Sequence, residues 1–68
     1  MDTGKYISKK VKRFRQEKGW TQEVLAEKAE LTSRTIINVE NGKGINLGTL
    51  TAIADALGCP VIDFFQDT

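Results

Sequence analysis

Histidine is absent from the 68-residue chain, and cysteine, proline, tryptophan and tyrosine each occur once. Without His, and with Cys59 alone, no zinc ribbon, no Cys/His nucleophilic pair and no disulfide framework can be assembled. The lone thiol fits a reducing compartment, so a cytoplasmic location is expected. Long apolar runs are also missing. Cys59 to Ile62 and Phe64-Phe65 fall far short of a membrane span or a secretory core. The length predicts one small domain, residues 1–68, too short for a deep active-site cleft or a separate sensing domain. An enzyme is not expected, since there is no nucleophile–base pair and no phosphate-cradling glycine loop. The Gly42–Gly44 stretch reads as a helix cap and loop. Neither a cofactor nor a metal is expected.

What is present is ordinary in amount and uneven in place. Hydrophobic residues make up 40% and charged residues 28%, values of a folded chain rather than a disordered one. The net charge is +1. Residues 1–18, however, hold seven basic residues against two acidic ones, a balance of +5, and no basic residue follows Lys43. One end of the chain is therefore suited to a polyanion and the other is not.

Periodicity predicts five helices and no strand. Ile7, Val11 and Phe14 are spaced i, i+4, i+7 and fall within roughly 60° of one another at about 100° per residue. The first helix, Lys5 to Lys18, buries that stripe and turns Lys5, Lys9, Lys12 and Arg13 away from it. Arg15 sits on the edge, about 80° from Ile7. Thr21 caps a second helix ending near Glu30, and Thr32 or Ser33 caps a third ending at Asn41-Gly42. Two short helices joined by so short a turn form a helix-turn-helix hairpin. Asn46 caps a fourth helix carrying Leu47, Leu50, Ile53, Ala54 and Leu57 before Gly58. A fifth runs from Val61 to about Gln66.

The third helix separates cleanly by angle. With Ser33 at zero and about 100° per residue, Ile36 and Val39 lie near 300° and 240°, one buried face. Ser33, Arg34, Ile37, Asn38 and Asn41 share the opposite face, between about 0° and 140°, with no acidic group among them. Such a surface suits the major groove: Arg pairs with a guanine edge, Asn with an adenine edge, and Ile covers a thymine methyl. A dimer contact is the other reading of an exposed Ile37. Glu40, near 340°, falls between the two faces. A carboxylate half-buried there needs a cation, and Arg15 is placed to supply it, giving a structural ion pair between the first and third helices.

The segments RQEKGWTQ (15–22), LAEK (25–28), IINVENGK (36–43) and LTAIADALG (50–58) resemble landmarks of the Cro/repressor-type helix-turn-helix (Xre) family, and the resemblance runs from Val11 to Phe65. It implies an all-α, five-helix, lambda-repressor-like domain that binds double-stranded operator DNA as a homodimer. Base-reading positions would be Thr32, Ser33, Arg34 and Asn38, alongside the Ile37 already on that face. Phosphate-binding positions would be Gln22, Thr35, Asn41 and Lys43, and the family's buried Arg–Glu pair falls on Arg15 and Glu40. Three positions depart from the pattern. Glu30 stands where the turn usually has Gly, Ile45 where a Pro or polar residue precedes the fourth helix, and Pro60 where a Ser usually caps the fifth.

The C-terminal set Val61, Ile62, Phe64 and Phe65 is too apolar for a short helix with one buried side. Some of it should cover the core and some should meet a second copy, and all four are candidates for the dimer interface. The expected function is transcription regulation at a palindromic site. The rival reading is an antitoxin or adaptor that binds a protein partner through that C-terminal helix.

Overall fold

The computed structural model describes residues 3–66. Four α-helices follow one another: α1 (Thr3–Glu17), α2 (Gln22–Lys28), α3 (Ser33–Glu40) and α4 (Leu47–Leu57). A 3₁₀ helix, Val61–Phe65, follows them, and no strand occurs among the described residues. Side-chain oxygens of Thr21, Thr32 and Asn46 accept from the backbone N–H three residues on, fixing the starts of α2, α3 and α4.

All four α-helices end in the same way. The N–H groups of Trp20, Leu31, Lys43 and Cys59 each reach back five residues to a last-turn carbonyl, while the preceding residue bonds three residues back. This closure needs a left-handed residue. Gly19, Gly42 and Gly58 provide it for three helices, and Glu30 provides it for α2 at φ 57°. A side chain in that conformation crowds the following carbonyl, a strain that glycine avoids.

The core is one cluster built from Ile7 and Val11 of α1, Leu25 and Ala26 of α2, Ile36 and Val39 of α3, four residues of α4, and Phe64. Phe14, Trp20 and Leu31 pack against it from partly buried positions. Ser8 joins α1 to α3 by a polar route: its buried Oγ lies 2.7 Å from the Gly4 carbonyl and 2.6 Å from the Val39 carbonyl. The hydroxyl thus lies against a last-turn carbonyl of α3 that also accepts the Gly42 N–H, and so links the two helices.

Two expectations are corrected at the C-terminal end. The fifth element is a 3₁₀ helix of five residues, entered through Pro60, which offers no side-chain capping bond. Phe64 is a fully buried core residue, its ring 5.7 Å from that of Phe14, and so is not free to meet a second copy as expected. Three residues per turn explains both its fate and that of its neighbours. Val61 and Phe64, three apart, point inward together, while Ile62 and Phe65 point outward at 52% and 49% exposure.

Replacing Glu30 by glycine should relieve its backbone strain at a smaller cost in chain entropy. A net gain of about 0.5–1 kcal/mol is expected, raising Tm by roughly 3–6 °C in a thermal melt. A lower Tm for E30G would contradict this account of the turn.

Candidate nucleic-acid interface

Four residues, Ala29 to Thr32, separate α2 from α3, so the two helices pack as a tight pair. The eight residues of α3 span about 12 Å, and its two ends are built differently.

At the N-terminal end, Thr32 Oγ1 accepts from the Thr35 N–H at 3.2 Å and lies 2.9 Å from Thr35 Oγ1. The two hydroxyls thus tie each other down at the helix start. Ser33 is half-buried and Arg34 is exposed. Arg34 has no ion-pair partner among the described residues, so its guanidinium keeps all its donors for a ligand. One turn on, Ile37 and Asn38 are half-buried rather than fully exposed. Ile37 is not among the side chains packed on the core, so the uncovered part of it faces outward.

At the C-terminal end a buried ionic network holds the helix. Arg15 Nε donates to Glu40 Oε2 at 2.7 Å and Nη2 to Glu40 Oε1 at 3.1 Å, a two-pronged pair. The side chains are 10% and 4% exposed. Arg15 Nη1 also donates to the Trp20 carbonyl at 2.8 Å, so the guanidinium grips the α1–α2 turn as well. Gln22, the first residue of α2, donates from Nε2 to Glu40 Oε1 at 3.1 Å. The amide keeps a second N–H for another acceptor. This bond brings Gln22 beside the end of α3, next to exposed Asn41 and Lys43. Lys43 is itself anchored by its backbone N–H, 2.7 Å from the Asn38 carbonyl.

The structure therefore gathers Gln22, Asn41 and Lys43 at one end of α3, and Thr32, Ser33 and Arg34 at the other. Thr35 stands apart from the first group, at the helix start, with its hydroxyl 2.9 Å from that of Thr32. Sequence reasoning missed the Gln22–Glu40 bond and the Ser8 contact. Neither has a spacing signal, because each joins different helices.

A family model described as "Helix-turn-helix" matches residues 11–64, most of the chain. The chain belongs to the Cro/repressor-type helix-turn-helix family. No curated protein and no solved structure matches it. Membership in this family implies DNA binding in a regulatory role and is not typical of enzymes. No described helix is long and apolar enough to cross a membrane.

Cys59 lies outside this interface. Burial pushes its thiol above the usual 9.0, with nearby Asp63 adding to the rise and Lys18 opposing it. A raised thiol stays protonated and unreactive at neutral pH, so Cys59 packs as a small apolar group. The sign is that of a group favouring its neutral form when folded. Its contribution to stability is complete below the ordinary thiol value and is lost as pH rises through the higher folded one.

Removing one partner of the ion pair strands the other in a low-dielectric site. Glu40→Ala should cost about 3–5 kcal/mol in urea denaturation, while replacing both Arg15 and Glu40 with apolar residues of similar volume should cost far less. A loss below about 1 kcal/mol for E40A would show that water reaches the pair freely.

Proposed function

We propose that this chain is a cytoplasmic, sequence-specific transcription regulator that binds a palindromic operator as a homodimer. The helix-turn-helix unit is α2 with α3, and α3 enters the major groove. The observation that carries this reading is the α3 outer face. Arg34 is exposed with its donors free, Ile37 and Asn38 follow one turn on, and no carboxylate on that face would repel DNA. Thr32, Ser33, Arg34, Ile37 and Asn38 read bases. Gln22, Asn41 and Lys43, with Thr35 at the helix start, bond phosphates and set the register.

A single copy has principal extents of 30 × 21 × 19 Å. Two copies side by side can thus place their α3 helices about 34 Å apart, in successive major grooves on one side of the duplex. Exposed Ile62 and Phe65, with part of Val61, supply the apolar surface for that pairing. A dimer seated over a polymerase site represses. The same Ile62–Phe65 surface, in a chain segment without basic residues, favours a second reading in which a different protein docks there.

Genomic-fragment selection with purified protein at two salt concentrations tests the proposal. Wild type should enrich a palindromic site. Arg34→Ala should lose about 1–3 kcal/mol of discrimination at one base pair per half-site while retaining salt-dependent background binding. No enriched sequence, or a site enriched equally by both proteins, would contradict base reading by α3 and shift weight to the protein-partner reading.

A further inference from the structure

The ten basic residues of the chain differ in what holds them. Arg15 is bound to Glu40, and Arg13 to Glu17 at 3.1 Å. Lys18 and Lys28 lie 5.9 Å and 5.0 Å from the Trp20 ring centre, placing a cation on that ring from each. Lys10 is buried with Nζ 5.6 Å from the Tyr6 ring and 5.8 Å from the Phe14 ring, and Lys5 is engaged as well. Among the described residues this leaves Lys9, Lys12, Arg34 and Lys43 exposed and without a partner. Two of these belong to the interface already described. The other two lie on α1.

Their position on α1 is set by Ser8. Its hydroxyl touches the Val39 carbonyl, and a Cβ on Gly42 would come within 3.7 Å of it, so α1 abuts the last turn of α3 and the loop carrying Lys43. At about 100° per residue, Arg15 falls roughly 20° to the core side of Ser8, whereas Lys12 and Lys9 fall about 40° and 100° to the solvent side. Lys12 thus borders the α1–α3 seam whose other bank carries Lys43. The spacing within α1 adds an independent argument. Lys9 and Lys12 stand at i and i+3, a like-charge pair that weakens a helix. No carboxylate lies three or four residues from Lys9 or Lys12.

We propose that Lys9 and Lys12 extend the DNA-facing surface onto α1, where they bond backbone phosphates beyond those reached by α3 and its loop. This rests on the DNA-binding reading above and adds a contact that is independent of sequence. The repulsion between Lys9 and Lys12 is relieved when phosphates lie against them, and the charge excess of residues 1–18 acquires a role in capture of the duplex.

Salt titrations of binding to a random-sequence duplex test the proposal, using wild type, Lys9→Gln, Lys12→Gln, the double variant, and Lys28→Gln as a control. Each α1 substitution should flatten the slope of log affinity against log salt by about 0.9, and the double variant by about 1.8. Lys28→Gln should leave the slope unchanged. Tm should hold or rise in the α1 variants because repulsion is relieved, so weaker binding accompanied by equal or greater stability separates phosphate contact from a structural role. A double variant with the wild-type slope overturns the α1 surface while leaving α3 as the reading helix. A wild type that binds no duplex at low salt overturns both. A wild type that binds every duplex alike, but through Lys9 and Lys12, sustains this surface and refutes sequence reading.

Discussion

A two-pronged ion pair between Arg15 and Glu40, almost closed to solvent, sets the geometry on which the proposed DNA-facing side of the molecule depends. It joins the end of α1 to the end of α3, and through Trp20 and Gln22 it also fixes the turn into α2 and that helix's first residue. A buried pair of this kind contributes little net stability relative to apolar packing. Its value lies in direction. The guanidinium and carboxylate planes meet in one arrangement, so α3 has one tilt. No buried side-chain polar atom among the described residues lacks a partner, as a low-dielectric network requires.

With its C-terminal end clamped, α3 presents two different surfaces about 12 Å apart. The clamped end gathers amide and ammonium donors, suited to the diffuse charge of phosphates. The opposite end carries the unpaired guanidinium of Arg34 on a helix start tied down by Thr32 and Thr35. A bidentate contact requires a donor held in a defined orientation, and a capped first turn provides a firm base for it. In the proposed complex most of the register-setting contacts fall at the clamped end of this short helix, and the Arg34 base contact falls at the other.

Much of this was legible in the sequence because helical periodicity sorts residues by face. Ile7, Val11, Ile36 and Val39 announce the core by spacing, and the threonines and Asn46 announce the helix starts. The placing of Glu40 opposite Arg15 needed only angles and the rule that a half-buried carboxylate requires a cation. What stayed hidden depends on a different period or on contact between elements. Val61–Phe65 turns with three residues per turn, and at that period Phe64 goes to the core while Phe65 stays outside. Five residues are too few to distinguish that period from the α-helical one in sequence. The Gln22–Glu40 and Ser8–Val39 bonds join different helices, so no local pattern could signal them. Glu30 was readable as an anomaly, and its φ of 57° shows that the turn keeps the shape a glycine would have given it.

The central claim is that Arg34 reads a guanine from the start of α3. The most direct test replaces each guanine of the selected half-site, one at a time, with 7-deazaguanine, which lacks the N7 acceptor. Affinities are then compared for wild type and Arg34→Ala. One position should weaken wild-type binding about five-fold or more and leave the variant unaffected, since a bidentate contact carries about 1–3 kcal/mol. Equal losses in both proteins at every guanine would contradict the account and place base recognition elsewhere on the molecule.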